Sequence, residues 1–248
     1  MSDDIGDRFK AYERCFDYTL PRRMPMVIRV DGRSFHSIKL AKPFDTEFFS
    51  YMSGTAIALC KAIQGAVLAY FQSDEISIIA RDDMQPNTEA WAGKRLSKVV
   101  SLSAAVATEA FNDHAEGRYG DGRHFDSRAF VLPDLSEVTN YLIWRQQDAT
   151  RNSVSMAAHA AFSHKSLQNV NSNGMIDRLR EAGKPWEDTP THFKRGAVCR
   201  PVKVLKEVPF NGLTVERREW QIDTEIPVFT QDRAYIEALY RAPETAVP

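Results

Sequence analysis

The chain has 248 residues and a formal net charge of −1, with 32 Lys and Arg against 33 Asp and Glu. A hydrophobic content of 43% and a charged content of 26% suit a water-soluble globular protein with a proper core, and no apolar run approaches the roughly 18 residues of a membrane span. The balanced charge excludes a basic surface over the whole chain, so any nucleic-acid contact has to come from local patches or from several subunits together.

The opening MSDDIGDRFK leads with acids and has no apolar stretch, which argues against a secretory signal. Residues 3–20 place Ile5, Phe9, Tyr12, Phe16 and Leu20 at helical spacing, with Pro21 ending the run. MVIRV (26–30) reads as a strand running into Asp31-Gly32. Asp45 or Thr46 caps a helix with Phe49, Met52, Ala56, Leu59 and Ile63 on one face. AVLAYF (66–71) and EISIIA (75–80) are the second and third strands, residues 89–112 a helix, and RAFVLP (128–133) a fourth strand. This β-α-β-β-α-β order predicts an α+β (α/β) protein with a ferredoxin-like sheet.

A second part follows from about residue 136. Residues 137–161 and 175–182 read as helices, and Trp144 is expected in the core. GAVCRPVKVL and LTVERREWQI flank Phe210-Asn211-Gly212, a hairpin signal, and a short helix is expected over 231–240. Cys15, Cys60 and Cys199 are far apart and odd in number, and the six histidines show no HExxH spacing. No disulfide framework or zinc knuckle is expected, and a reducing cytoplasm is the expected setting.

The chemistry concentrates where strands end. Asp74-Glu75 stand between the second and third strands, and Asp31 ends the first. The plainer reading of Gln72-Ser73-Asp74 is a turn, since Ser and Asp bond locally to backbone. In a split βαβ sheet, however, strands one and three are neighbours, so Asp31, Asp74 and Glu75 gather at one place. Three carboxylates there repel unless something positive lies between them. Hard oxygen ligands suit Mg²⁺, and two such ions form the clamp of in-line phosphoryl transfer. Asp31 and Asp74 are the expected shared ligands, with the Gly32 carbonyl as a further oxygen. Glu75 is either a third ligand or the partner of a metal-bound water.

Gly32, Arg33, Ser34, Phe35 and His36 offer a turn of backbone N–H groups for phosphates. Lys42 and Asp45 flank Pro43 at a helix start, and Lys98 becomes relevant only if its helix packs beside the carboxylates. Arg145, Arg151 and Lys165 could neutralise RNA phosphates, as could Lys194, Arg195, Arg200, Lys203 and Lys206, although plain surface charge explains most of them singly.

The stretches IRVDGRSFH (28–36), LAKPFD (40–45), YFQSDEISI (70–78), LSKVVSLSAAVAT (96–108), FDSRAFVLP (125–133) and YLIWRQQDATRNS (141–153) together resemble the tRNA-histidine guanylyltransferase superfamily. They cover about the first two-thirds of the chain. The resemblance implies a polymerase-like palm (residues 1–135) and a fingers-like helical and β extension (136–248). It implies nucleotide addition to the 5′ end of tRNA, with two Mg²⁺ held by Asp31, Asp74 and the Gly32 carbonyl. It also implies ATP or GTP for activation, a nucleotide loop over Gly32–His36 with Ser73, roles for Lys42, Asp45 and Lys98 in nucleotide handling or catalysis, and a homotetramer. Arg128, Arg145, Arg151, Asn152 and Lys165 are the RNA-binding candidates.

One departure matters. Members that act on histidine tRNA carry HINNLYN where this chain reads Thr150-Arg151-Asn152-Ser153-Val154-Ser155-Met156. That resembles the bacterial and archaeal "like" branch, associated with template-dependent repair of 5′-truncated tRNA. The alternative activities are guanylate addition to histidine tRNA, a nucleotide cyclase, and a non-catalytic RNA-binding module. Gln-Ser-Asp-Glu in place of Gly-Gly-Asp-Glu argues against the cyclase.

Overall fold

A computed structural model describes residues 4–120, 122–207 and 214–240. Its elements in chain order are α1 (Ile5–Arg14), β1 (Met26–Gly32), α2 (Thr46–Ala62), β2 (Ala66–Gln72), β3 (Glu75–Ala80), α3 (Leu96–Ala115), β4 (Phe125–Val131), α4 (Leu135–Ala161), α5 (Ser172–Glu181), α6 (Thr191–Arg195), β5 (Ala197–Glu207), β6 (Thr214–Asp223) and α7 (Arg233–Tyr240). The strands form one antiparallel sheet in the order β4-β1-β3-β2-β5-β6. The first four strands are the expected ferredoxin-like set, and β5 and β6 extend the same sheet beyond β2.

Strand alternation sorts the core onto two faces. Met26, Ile28 and Val30 of β1 join Ile76 and Ile78 of β3 in the cluster under α2 and α3, with Met52, Leu59, Val99 and Phe111. Val27 and Ile79 point the other way, to Val138 and Leu142 of α4 and Ile236 of α7. Odd-numbered residues of β1 and β3 therefore face α4, and Asp31 and Glu75 are two of them.

Three expected boundaries shift, each for a local reason. α1 ends at Arg14 and buries none of its residues; Phe9 and Phe16 are exposed because no other element covers the stripe. α3 starts at Leu96 because Ala92, Gly93 and Lys94 take positive φ, which a right-handed helix cannot hold. Lys94 is buried there, and its Nζ donates to the carbonyls of Pro21 (2.9 Å) and Met24 (2.8 Å) and to Asp82 (2.9 Å). β4 begins at Phe125, three residues early, because Asp126 and Phe125 still pair with Asp31 and Gly32. The Phe210–Gly212 turn lies outside the described residues; the strands flanking it pair from Val198↔Asp223 to Glu207↔Thr214. Among the described residues no helix is long and apolar enough to cross a membrane, and the three cysteines are free.

Candidate active site

Ser73 and Asp74 form a two-residue hairpin between Gln72 and Glu75, so the turn reading holds. Ser73 sits at φ +50, the left-handed region that a tight hairpin asks of its first central residue and that Gly usually supplies. The Ser73 side chain lowers the Asp74 pKa, against the effect of burial. The end of β1 meets this turn directly, because the Gly32 N–H donates to the Asp74 carbonyl at 3.0 Å. Burial raises the Asp74 pKa, and the Asp31 charge raises it further. Burial likewise raises Asp31, followed by the charge of Asp126, its cross-strand neighbour on β4. No ion pair engages Asp31 or Asp74 among the described residues. Two partly buried carboxylates thus stand together outside any salt bridge, with Arg128, Arg29 and Arg145 acting on Asp31 only from a distance.

Glu75 differs. Arg145 Nε donates to Glu75 Oε1 at 2.8 Å and Nη2 to Oε2 at 3.0 Å, while Arg29 stands 3.9 Å away. Burial pushes Glu75 up and the two guanidiniums pull it back. With both oxygens occupied and its charge balanced, Glu75 is not placed as a third metal ligand. Of its two expected roles, third ligand or partner of a metal-bound water, this corrects the first. Arg145 is corrected with it: the side chain is 5% exposed, locked to Glu75 and to Asp148 (2.9 Å), and cannot reach an RNA backbone. Its neighbour Trp144, expected inside, is 48% exposed and lies under the Arg145 guanidinium, 4.4 Å from ring centroid to charge.

The loop after Asp31 is anchored by Phe35. That ring is buried among Phe48, Phe111 and Phe125, so only its backbone faces the loop side. Arg33, Ser34 and His36 are exposed, and the His36 charge acts on Asp74. A Cβ on Gly32 would lie 2.5 Å from the Phe35 ring. Gly32→Ala is therefore expected to cost about 1–3 kcal/mol, read by urea denaturation, because the wedged ring has nowhere to move.

Beside the hairpin opens a cleft lined among others by Leu40, Asp45, Phe49, Ser73, Asn152 and Phe193. Rings form its wall: Phe44 stacks on Phe193 at 4.9 Å, and His192 on Phe49 at 4.4 Å. Asp45 caps α2 through Phe48 N–H (2.9 Å) and also accepts from Ala41 N–H (2.9 Å). Burial opposes ionisation of Asp45, but these N–H groups outweigh it and hold its pKa below the usual range. Lys42 is exposed on the same loop. Of the remaining candidates, Asn152 reaches the cleft, Arg128 pairs with Asp126 at 3.4 Å, Arg151 pairs with Asp148 at 2.7 Å, and Lys165 is exposed. Lys98 is exposed on α3, across the sheet from Asp31, and within this chain the structure does not bring it to the carboxylates. Sequence reasoning missed Asp126, Arg29 and the α6 wall of His192 and Phe193.

Among the described residues no three His, Cys, Asp or Glu side chains converge as a closed metal cage. Two unpaired carboxylates beside a backbone carbonyl do fit Mg²⁺, which takes one or two carboxylates and completes its shell with substrate phosphates and water.

An antiparallel sheet bearing adjacent carboxylates beside a ring-walled cleft suits an enzyme acting on a small polar ligand. The comparisons agree. The family model of tRNAHis guanylyltransferase (Thg1) matches residues 6–133. A bacterial tRNA(His) guanylyltransferase (Thg1)-like protein in complex with ATP is 38% identical, with a TM-score of 0.86 over 96% of this chain and 100% of that one. The same kind of protein in complex with GTP gives 0.83 at 38% identity and the same coverage. A probable tRNA(His) guanylyltransferase of Dictyostelium discoideum is 26% identical over 80% of this chain and 83% of its own length. The chain belongs to the tRNAHis guanylyltransferase family and is a nucleotidyltransferase.

Proposed function

We propose that this enzyme adds nucleotides in the 3′–5′ direction to 5′-truncated tRNA, using the opposite strand as template and two Mg²⁺ ions. The observation that carries the reading is the Asp31–Asp74 pair, partly buried and in no salt bridge among the described residues, beside the cleft. Asp31, Asp74 and the Gly32 carbonyl would hold the ions. Mg²⁺ bound there supplies an acidified attacking hydroxyl and a stabilised leaving pyrophosphate. The chain's own groups do the rest. The Gly32 and Arg33 N–H groups already donate to the Asp74 and His124 carbonyls, so the backbone N–H groups of residues 34–36 donate to phosphate oxygens, with the exposed Arg33 adding positive charge. The ring-walled cleft takes the nucleoside, and Ser73 favours the ionised form of Asp74. ATP and GTP, bound by the similar bacterial proteins, are the expected activating nucleotides.

The repair assignment rests on the Thr150–Met156 register, which lacks the His and most of the Asn set of HINNLYN. Of its residues, Asn152, Ser153 and Met156 line the cleft. Pairing with the template strand would choose the base, so the protein needs few base-specific contacts. Residues 1–135 would act as the palm and 136–248 as fingers, in a cytoplasmic homotetramer. The test is 5′-labelled RNA, either a histidine tRNA or a 5′-truncated tRNA of another type, with each NTP and Mg²⁺. Extension of the truncated tRNA by the templated nucleotide is expected. Preferential guanylate addition to the histidine tRNA would overturn the repair assignment and leave the family's named activity in its place.

A further inference from the structure

The far end of the sheet carries a concentration of positive charge that the catalytic reading does not use. Lys61 at the end of α2, Lys206 of β5, and Arg217 and Arg218 of β6 line one groove with Glu219 and Trp220. Lys206 is neutralised by Glu219, and Lys203 nearby by Glu216 at 2.8 Å. Among the described residues no carboxylate pairs with Lys61, Arg217 or Arg218, and all three are exposed. In a chain of net charge −1, three uncompensated cations in one groove are a local excess. β6 is the sheet edge, and successive residues alternate faces, so Arg217 and Arg218 reach both sides of that edge.

Two elements measure how far this groove lies from the site. β5 begins beside Phe71, next to the Ser73–Asp74 turn, and at about 3.3 Å per residue Lys206 is about 30 Å further on. α2 begins at the cleft with its cap Asp45, and at 1.5 Å per residue Lys61 is about 24 Å away. Such a separation corresponds to roughly ten base pairs of an A-form RNA duplex. We infer that this groove binds backbone phosphates of the double-stranded arm of tRNA whose 5′ end occupies the active site. The inference rests on the proposed function and adds where the RNA body is held. Phosphate contacts of this kind position an RNA without reading its sequence, as a templated reaction requires. Edge-strand charge also guards sheets against edge pairing. That role demands no uncompensated charge from α2 and predicts no salt-dependent RNA affinity.

The test is the full chain with Arg217→Glu and Arg218→Glu, against Arg217→Gln and Arg218→Gln, after a melting curve confirms folding. Two RNAs are used: a full-length truncated tRNA, and a hairpin of about five base pairs, too short to span the distance. The expected result is a Kd for tRNA weaker on the order of tenfold, with the slope of log K against log salt reduced by about 2. Extension of the short hairpin stays at the wild-type rate, and the Gln pair falls between. Unchanged tRNA affinity and slope would overturn the inference, as would equal losses on both RNAs. If wild type extends neither RNA, the proposed function fails, yet a salt-dependent loss of tRNA binding in the Glu variant still supports the groove.

Discussion

Asp74→Asn is expected to lower nucleotide addition on the order of 10³-fold while making the metal-free protein more stable, and Asp31→Asn to do the same with a smaller gain in stability. The loss of activity follows from removing a charged ligand that the reacting phosphates cannot replace. The gain follows from the raised pKa values. Burial and then Asp31 push Asp74 up, and burial and then Asp126 push Asp31 up. A group whose folded pKa exceeds its unfolded value favours the folded state at low pH. That contribution is lost as pH rises through the unfolded and then the folded pKa. At neutral pH each ionised carboxylate therefore costs stability, which Asn relieves. The gain is expected to be larger for Asp74 than for Asp31, which is better screened by solvent. Thermal melts at pH 7 and pH 4 check the sign, because the variant's advantage should shrink at the lower pH. Mg²⁺ with ATP should raise the wild-type Tm and leave Asp74→Asn nearly unmoved. Wild-type turnover in that variant would remove the metal reading.

How much of this was legible from residues alone divides along local and distant signals. The first four strands came from short apolar runs, and the Asp31–Asp74 juxtaposition from their β-α-β-β-α-β order; both are read locally along the chain. The structure goes further and sets Asp31 and Glu75 on one face as cross-strand partners. What covers that face was not local: Arg145 lies 70 residues from Glu75. Yet α4 carried a signal. Val138, Leu142, Arg145 and Ala149 follow helical spacing along its buried stripe, and Trp144 falls off it. Counting that period would have put the arginine inside and the tryptophan outside, against what their chemistry suggests. A buried arginine in an apolar stripe asks for a carboxylate, and Glu75 was the one at hand. The late start of α3 had no such signal. Only Gly93 hints at the left-handed run over Ala92–Lys94, which depends on Lys94 reaching carbonyls in the segment before β1. The α6 wall was equally opaque, because a five-residue helix has too few turns to show a period.

Arg145→Ala is expected to be the most destabilising single change, about 3–5 kcal/mol in urea denaturation, because it strands Glu75 as a buried charge. Arg29, at 3.9 Å, is too far to replace a bidentate pair. Arg145→Lys should recover little, since one ammonium cannot meet both carboxylate oxygens at 2.8 and 3.0 Å. The informative variant is the double change Glu75→Gln with Arg145→Met, which removes both charges and keeps the volume. It should be more stable than Arg145→Ala, because the cost of a buried ion pair lies largely in breaking one half. Activity should follow a different course. With Arg145 gone, the uncompensated Glu75 charge adds to the repulsion on Asp31, so addition by the folded fraction should need more Mg²⁺. In the double variant that demand should return toward wild type. Should Arg145→Ala instead fold with less than about 1 kcal/mol lost and bind tRNA more weakly, Arg145 would belong to the RNA surface after all.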